Sequence, residues 1–348
     1  MIIPGQISTK AIALIIKYLT LWFILSIMLN TGCRNNTAGN LYVPVRIIFD
    51  TDLGSDYDDV GALAFLHAMA DSGKAVILAT MASNKYELTV PSIDVINTYF
   101  NKPEIPIGSP KSAGVDDRTF YSWTDSIVAQ YPHIIKSNSD APDAVEIYRK
   151  ILSEQPDGAV TVITVGFLTN LYNLLRSQPD NISELPGTDL VRKKVRNLVT
   201  MGGVFPDRGR SFNIFMDSVA SEFVLRNWPG EIIFTGNHIG EAIKTGLRLV
   251  NSDINNSPVK DAYRISMRLS EWDKDGRMSW DQTAVLIGIY GTEGFFDTVR
   301  GKITVYQDGS NSWENNKSGS HLYVNQKMPV EDMARFIEKR MMHLPEHR

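Results

Sequence analysis

Five carboxylates stand within ten residues at Asp50–Asp59, in the sequence DTDLGSDYDD, directly after the apolar segment VRIIF. Like charges this close repel one another, and burial of one without a partner is costly. Bulk water, a helix N-terminus or a bound cation can compensate, but a first helical turn accounts for only one or two carboxylates. A hard cation prefers oxygen ligands. The stretch therefore predicts a metal site, although not an EF-hand, since Gly61 stands where that loop requires glutamate.

The common phosphate-binding and nucleophile motifs are absent from the chain. The sequence has no GxxxxGK[ST], no GxGxxG and no GxSxG. A DxD after an apolar strand also occurs in aspartyl-phosphate phosphatases, whose first Asp is the nucleophile. Those proteins usually continue with Gly-Thr, whereas this chain has Leu53-Gly54. The phosphatase interpretation stays open as an alternative, and it predicts magnesium dependence and phosphate release.

The composition is that of a globular protein without a nucleic-acid partner. The 348 residues are 43% hydrophobic and 21% charged, with a net charge of −4 and therefore no basic excess. The single cysteine, Cys33, excludes an intramolecular disulfide framework and a cysteine-based zinc site.

The N-terminal sequence has the pattern of an export signal. Lys10 and Lys17 accompany the apolar run AIALIIKYLTLWFILSIML, and LNTGC resembles a loose lipobox ending at Cys33. We expect a lipoprotein-type signal over residues 1–33 and a polar tether over 34–42. The protein is then exported and held on a membrane by its lipid anchor alone, on the periplasmic or cell-surface side. An uncleaved N-terminal anchor is the alternative.

From residue 43 the chain alternates short apolar runs with segments of helical spacing. Val45–Phe49 is rich in β-branched residues and predicts a strand buried on both faces. Asp116–Ser139 is polar and predicts a long surface loop. The order predicts one α/β domain, residues 43–348, with a Rossmann-like, mostly parallel sheet flanked by helices and an α-rich C-terminal cap. Further strands are expected at 75–81, 105–108, 159–165, 195–201 and 231–235, a hairpin near 307–310, and helices at 60–70, 91–100, 144–154, 168–177, 217–227, 258–271, 281–290 and 329–342.

Polar clusters follow five of the expected strands. In open parallel sheets, ligands bind beyond the carboxyl ends of the strands. We therefore expect these clusters to meet in one crevice, although they are far apart in sequence. They are Asp50 with Asp52, Ser83-Asn84, Val165-Gly166, Gly202-Gly203 and Gly236-Asn237-His238.

The acidic stretch and three later segments together resemble the inosine–uridine nucleoside hydrolase family. DTDLGSDYDDVGAL fits a strand ending in DTDxGxD and continuing DD-x-x-AL. VGFLTNL at 165–171, MGGVF and FNIFMD within 201–217, and WDQTAVL at 280–286 are similar to that family's T-G-x-L-T-N, GG…EFNxxxDPEAA and HDPxAV segments. The resemblance covers residues 43–343. It implies a sugar N-glycosidase with calcium at the strand ends, a small-molecule nucleoside substrate and a homo-oligomeric assembly.

Carried over residue by residue, the resemblance implies a calcium site beside a sugar site. Asp52 would also take the proton of the attacking water, and Asp50 would orient the loop by hydrogen bonds. The loop is two residues longer than the commoner DTDPGxDD, so Asp56 could take the place of Asp58 or Asp59. The implied calcium ligands are Asp52, Asp59, Asp281 and the carbonyl of Val165, and the implied substrate contacts are Asp58 and Asn213, with Asn84 nearby and Trp280 beside the base.

Some positions depart from the family's pattern. Ser211 replaces a glutamate, and the asparagine that usually lies some eight residues before the Asn position is not identifiable; both normally help grip the 5′-hydroxyl side of the sugar. Arg208 or Arg210 could contact a phosphorylated 5′ position, or lie solvated at the surface. Trp280 replaces a histidine near the base; it can stack on a nucleobase but cannot protonate a leaving purine. His238 is the substitute acid that we expect, with a polar helix-start residue as its alternative role.

The function that this resemblance implies is calcium-dependent hydrolysis of a ribosyl C–N bond, giving ribose and free base. Such cleavage develops positive charge on the sugar, which an array of carboxylates stabilises. A non-catalytic nucleoside- or sugar-binding lipoprotein is the alternative from another class, and a hydrolase of a different N-riboside is a third. Both a hydrolase and a binding protein should bind calcium, so calcium binding cannot distinguish them. Turnover of a nucleoside can.

Overall fold

The computed structural model describes residues 43–118 and 121–346. The predicted signal, which includes Cys33, and the predicted tether lie outside the described residues. Within the described ranges, no helix has the length and apolar character needed to cross a membrane.

The described residues contain twelve strands, several of them only two residues long. The strands are β1 Val45–Thr51, β2 Ala75–Ala82, β3 Ile107–Gly108, β4 Val160–Thr164, β5 Val195–Thr200, β6 Gly209–Arg210, β7 Glu231–Phe234, β8 Lys244–Thr245, β9 Arg277–Met278, β10 Phe296–Val305, β11 Ser310–Asn315 and β12 His321–Gln326.

Thirteen α-helices and two 3₁₀ turns connect these strands in the described part of the chain. The helices are α1 Asp58–Asp71, α2 Thr89–Tyr99, α3 Trp123–Gln130, α4 Ala144–Glu154, α5 Thr169–Arg176, α6 Gly187–Lys194, α7 Phe212–Met216, α8 Ser218–Asn227, α9 Asn237–Ala242, α10 Leu247–Val250, α11 Pro258–Leu269, α12 Trp280–Tyr290 and α13 Val330–Met341, and the 3₁₀ turns are Asn138–Asp140 and Glu271–Asp273.

Ten strands form one sheet in the order β3-β2-β1-β4-β5-β7-β12-β10-β11-β6, and β8 pairs with β9 separately. All neighbours from β3 to β12 are parallel. The remaining pairs, which involve β10, β11 and β6, are antiparallel. The carboxyl ends of the parallel strands therefore lie along a single edge of the sheet, where a ligand site is expected.

Helices cover both faces of the sheet, which gives two separate apolar cores. Successive residues of a strand point to opposite faces. Ile47 and Phe49 accordingly pack into one core and Ile48 into the other. A strand buried on both faces reads as a continuous apolar run, and this explains the VRIIF sequence of β1.

Helix α1 is buried almost entirely, and this fixes the position of its acidic first turn. Its residues from Asp58 to Met69 are all buried. Its apolar residues share one core with those of α12 and α13. A helix that is apolar all round requires such a buried position. At Gly166, after β4, a Cβ atom would lie 2.3 Å from the Asp52 backbone nitrogen, so glycine permits the close approach of these two loops.

The predicted fold class is confirmed, and the differences lie in two helices and in the C-terminal strands. The expected surface loop contains helix α3, because Trp123 and Ile127, four residues apart, are both buried there. Helix α6 was not expected. The predicted α-rich C-terminal cap is only part of the C-terminal structure. The strands β10, β11 and β12 extend the central sheet, and β12 pairs directly with β7. β10 and β11 contain many polar residues, and β11 has a single apolar residue, Trp313, so neither strand stands out as an apolar run in the sequence.

Candidate active site

A cavity of about 330 Å³ opens at the carboxyl edge of the sheet and is lined by five carboxylates. It combines this acidic wall with one cation, two aromatic rings and several uncharged groups. The lining residues are Asp52, Asp56, Asp58, Asp59, Val165, Met201, Phe212, Asn213, Asn237, Arg277, Trp280 and Asp281.

Strand ends and helix starts deliver these residues to one place. Asp52 follows β1, Val165 follows β4 and Met201 follows β5. The first turns of α1 and α12 supply Asp58, Asp59 and Asp281, at the positive ends of the helix dipoles. The expected convergence of the polar clusters after β1, β4 and β7 is thus present, whereas the clusters Ser83-Asn84 and Gly202-Gly203, after β2 and β5, do not line the cavity.

The alternation of β1 sends two polar side chains to opposite faces behind the cavity. Asp50 accepts hydrogen bonds from Tyr148 Oη at 2.8 Å and from Asn170 Nδ2 at 3.2 Å. Thr51 Oγ1 donates to Asp59 Oδ1 on the other face. Asp50 is fully buried and does not line the cavity. It fixes the end of β1 against α4 and α5, in agreement with the expected orienting role.

Three of the buried carboxylates have no cationic partner among the described residues. Asp52, Asp59 and Asp281 form no salt bridge within that part of the chain, and each is at most 4% exposed. Burial raises the pKa of each well above the usual range, and the neighbouring aspartates raise it further. Such a group of oxygen donors, paired with nothing positive, fits a hard divalent cation.

The distances between ligand atoms alone select a partly different group of carboxylates as possible cation ligands. Ligand atoms of Asp56, Asp58 and Asp59 lie within 4.8 Å of one another. Two of these three are already paired with Arg277, which donates to Asp58 Oδ1 at 2.8 Å and contacts Asp56 Oδ2 at 2.5 Å. Charge compensation therefore favours Asp52, Asp59 and Asp281 as cation ligands, with Asp59 common to both sets.

The residues expected to contact a sugar lie at different depths. Asn213 lines the cavity, and its Nδ2 donates to the carbonyl oxygens of Val165 at 2.5 Å and Met201 at 3.3 Å. Asp58 also lines the cavity, and its Oδ2 accepts from the Asp281 backbone N–H at 3.3 Å. Asn84 lies behind the cavity, where its Nδ2 donates to the Asp52 carbonyl at 3.3 Å. Asn84 is therefore placed to support the acidic loop rather than to touch a ligand.

Trp280 and Asn237 form a further part of the cavity wall. Trp280 Nε1 donates to the Asn237 carbonyl at 2.9 Å, which leaves the indole ring as the face presented to the cavity. The Oδ1 atom of Asn237 is buried without a hydrogen-bond partner among the described residues. A ring and an amide at this place can stack on a flat heterocycle and bond to its edge.

His238, the expected acid, is not brought into this cavity. It does not line the cavity, and its Nε2 lies 3.2 Å from the Val324 carbonyl on β12. Its ring packs edge-on against Tyr323, with 6.5 Å between the ring centroids. The geometry therefore favours the alternative role, a polar residue in a helix-start turn, and the catalytic role of His238 stays an untested prediction.

The residues that stand on the expected 5′ side of the sugar make contacts within the protein instead. Ser211 is buried, and its Oγ accepts the Gly203 N–H at 2.8 Å. Arg208 and Arg210 are both more than half exposed and pair with Asp308. Their guanidinium groups lie over aromatic rings outside the cavity. The solvated-surface alternative describes these two arginines best.

Arg277, Phe212 and Met201 line the site, although sequence reasoning assigned them no role there. The only sequence signal for Arg277 is that it is the basic residue closest before Asp281. Phe212 and Met201 lie inside recognised segments, but their apolar side chains suggest core packing. Phe212 is instead 48% exposed at the cavity.

Comparison with known proteins gives one family. The family model described as inosine-uridine preferring nucleoside hydrolase matches residues 47–331. A protein of that description from Leishmania major is 22% identical over 191 residues, which is 52% of this chain and 57% of that protein. The chain thus spans little more than half of that relative.

Solved structures are similar over most of the chain. An inosine-uridine preferring nucleoside hydrolase from Bacillus anthracis has a TM-score of 0.64 at 16% identity, covering 86% of this chain and 99% of that one. An inosine-guanosine nucleoside hydrolase has a TM-score of 0.68 at 18% identity, with the same coverage. At these identities the structures show a shared fold.

The buried Asp50 makes the stability of the metal-free protein depend on pH. Burial raises the pKa of Asp50 from the usual 3.8 to about 7, although Tyr148 and Asn170 bond to it. The folded state therefore keeps a proton that the unfolded chain has lost. This stabilisation is full below about pH 4 and is lost as the pH rises through about 7. In the presence of chelator, we expect the free energy of unfolding to fall over this window, by up to about 1.4 kcal/mol per pH unit from this one group.

Urea unfolding at a series of pH values, with Asp50→Asn beside the native protein, measures this contribution. The substitution keeps an oxygen acceptor for Tyr148 and removes the proton, so the slope should become shallower. Asp297→Asn, at a 69% exposed side chain on β10, is the matched control and should keep the native slope. An unchanged slope in Asp50→Asn contradicts the prediction.

Proposed function

The chain belongs to the inosine–uridine preferring nucleoside hydrolase family, and we propose that it hydrolyses the N-glycosidic bond of ribonucleosides with the help of Ca²⁺. The products are ribose and the free base. The observation that carries the proposal is the group of buried carboxylates Asp52, Asp59 and Asp281, which has no cationic partner among the described residues. A cation among them compensates their charge, and the cavity beside them accommodates a small ligand.

The proposed ligands of the ion are these three carboxylates and the carbonyl of Val165. The set is all oxygen, as Ca²⁺ prefers, and contains no cysteine or histidine. When bound, the ion orients the sugar hydroxyls and a water molecule and lowers the pKa of that water. The fit rests on the donor chemistry and on the unpaired charge of the site.

The side chains of the cavity supply the remaining chemistry. Asp52 accepts the proton of the attacking water as general base. The surrounding carboxylates stabilise the positive charge that develops on the sugar as the C–N bond breaks. Asp58 and Asn213 bond to ribose hydroxyls; Asp58 can still accept such a bond, because each carboxylate oxygen has a second lone pair.

On the leaving-group side the cavity offers stacking and an amide rather than an acid. The Trp280 ring packs against the base, and the side chain of Asn237 bonds to its edge. Neither group delivers a proton at neutral pH. The base therefore has to leave as an anion or take a proton from solvent. Nucleosides whose bases are good leaving groups are then the better substrates.

Export and lipidation at Cys33 are part of the proposal, on the sequence pattern alone. A hydrolase held outside the cytoplasm meets nucleosides from the surroundings. A non-catalytic nucleoside-binding protein is the second candidate, and the internal bond of Ser211 favours it, because one grip on the substrate is missing.

Calcium-dependent release of ribose is the direct test of the proposed reaction. We expect reducing sugar from at least one nucleoside of a purine and pyrimidine panel, using residues 34–348, and loss of this activity in chelator. Asp52→Asn should lower kcat about 10²- to 10⁴-fold, because it removes the general base. Asp297→Asn is the control. Calcium binding without cleavage of any nucleoside supports the binding-protein alternative instead.

His238 can be tested through the acidity of the leaving group. If it were the acid, His238→Gln would lower kcat about 10²- to 10⁴-fold for a poorly leaving purine and hardly at all for a nitrophenyl riboside, which needs no proton. Because its Nε2 lies against β12, we expect less than about a threefold change for either substrate. A large loss restricted to the purine restores the catalytic role of His238.

The 5′ side of the sugar should contribute little to recognition. Since Ser211 is buried and the two nearby arginines pair with Asp308, none of these three described side chains is held ready for a 5′-hydroxyl. We expect kcat/KM for a nucleoside and its 5′-deoxy analogue to differ by less than about tenfold, which corresponds to about 1.4 kcal/mol. A loss of a hundredfold or more on removing the hydroxyl contradicts this.

A further inference from the structure

A single arginine reaches into the acidic cavity from the small β8–β9 sheet. The Arg277 guanidinium donates to Asp58 Oδ1 from Nε at 3.2 Å and from Nη2 at 2.8 Å. The same Nη2 lies 2.5 Å from Asp56 Oδ2. Its side chain is only 11% exposed. This is an internal ion pair inside a ligand cavity, and nothing in the proposed chemistry accounts for it.

Aromatic rings and a further acid hold this guanidinium in place. The Arg277 guanidinium carbon lies 4.9 Å from the centroid of Tyr57 and 5.0 Å from that of Trp280. Tyr57 Oη donates to Asp273 Oδ2 at 2.6 Å, and Asp273 itself lies 3.9 Å from Arg277. Arginine suits such a position, because its planar group can stack and form a fork of hydrogen bonds at once.

The cavity carboxylates therefore fall into two groups. Asp56 and Asp58 are paired with Arg277, and Asp52, Asp59 and Asp281 are paired with no cation among the described residues. We infer that Arg277 is a positioning residue, which holds Asp56 and Asp58 and so restricts the divalent cation to the other three carboxylates. This inference rests on the proposed function, since it concerns how that site binds its ion and its sugar.

Charge determines the sign of the effect on the ion. The five carboxylates of the cavity carry five negative charges when ionised, and Arg277 offsets one of them. A fixed positive charge in the same cavity also repels a divalent cation. Removal of Arg277 should therefore tighten calcium binding, while it releases Asp58 from the geometry in which it meets the sugar.

Opposite changes in two measurements separate positioning from simple structural support. For Arg277→Met we expect Ca²⁺ to bind about tenfold more tightly by calorimetry, because one repulsive charge is gone. We expect KM for the nucleoside to rise about tenfold, because Asp58 has lost two charge-assisted hydrogen bonds. A residue that merely supports the fold would weaken both. Arg335→Met, at an exposed arginine on α13, is the charge-matched control and should change neither.

Two further variants separate charge from geometry. Arg277→Lys keeps the charge and loses the fork, so Ca²⁺ affinity should stay within about threefold while KM rises. Asp56→Asn combined with Arg277→Met removes the pair together and should also return Ca²⁺ affinity to within about threefold of the native value. If Arg277→Met alone does not fold, the comparison is made in the Asp56→Asn background. There, adding Arg277→Met must tighten Ca²⁺ binding about tenfold. Equal Ca²⁺ affinities of the single and double variants overturn the inference.

The native protein separates this inference from the proposed function. If native protein binds Ca²⁺ and releases ribose while folded Arg277→Met binds Ca²⁺ with unchanged or lower affinity, the role of Arg277 is overturned and the hydrolase stands. If native protein binds no Ca²⁺, both are overturned. Tighter Ca²⁺ binding with a raised KM supports the inference.

Discussion

Buried negative charge at the carboxyl edge of the sheet is the constraint on which the rest of the site depends. The burial of α1 and α12 leaves no freedom to move Asp58, Asp59 or Asp281 toward water. Ionised carboxylates in such surroundings require positive charge nearby. The structure provides one internal cation for part of the group, and the rest of the charge requires a cation that binds from outside. The burial of these helix starts in the fold is thus the physical reason for the metal requirement.

The sequence carries most of the information about the parallel core. Runs such as VRIIF are apolar because the strands are covered on both faces, and that pattern needs no tertiary knowledge to recognise. The C-terminal strands were harder to predict, since β10 alternates buried with exposed residues in its second half and β11 contains a single apolar residue, Trp313. Helix α3 depends on the burial of Trp123, which only the tertiary structure decides. Local pattern is therefore informative only where the environment is the same on both faces.

The site shows the same division between local and long-range information. The carboxylates of the acidic segment could be predicted because five of them crowd ten residues, whereas Asp281 was implied only by the resemblance of WDQTAVL to a family segment. Arg277 could not, because its role arises from contacts with Asp56 and Asp58, more than two hundred residues earlier in the chain. His238 shows how residue type and position can disagree: its residue type suits acid catalysis, but the turn after β7 directs its ring to β12 and Asn237 to the cavity, and its catalytic role stays an untested prediction.

The two ends of the cavity thus differ in how much their chemistry is constrained. In the proposed function the backbone itself participates at the carboxylate end, through Val165 and the starts of two buried helices, so few substitutions there are compatible with a cation. Around the base, the roles that we propose for Trp280 and Asn237 use a ring face and an amide, which accept many flat heterocycles. An enzyme built this way fixes the sugar and the water strictly and the base loosely. We therefore propose that its selectivity among nucleosides follows the ease with which each base departs, more than the shape of the base.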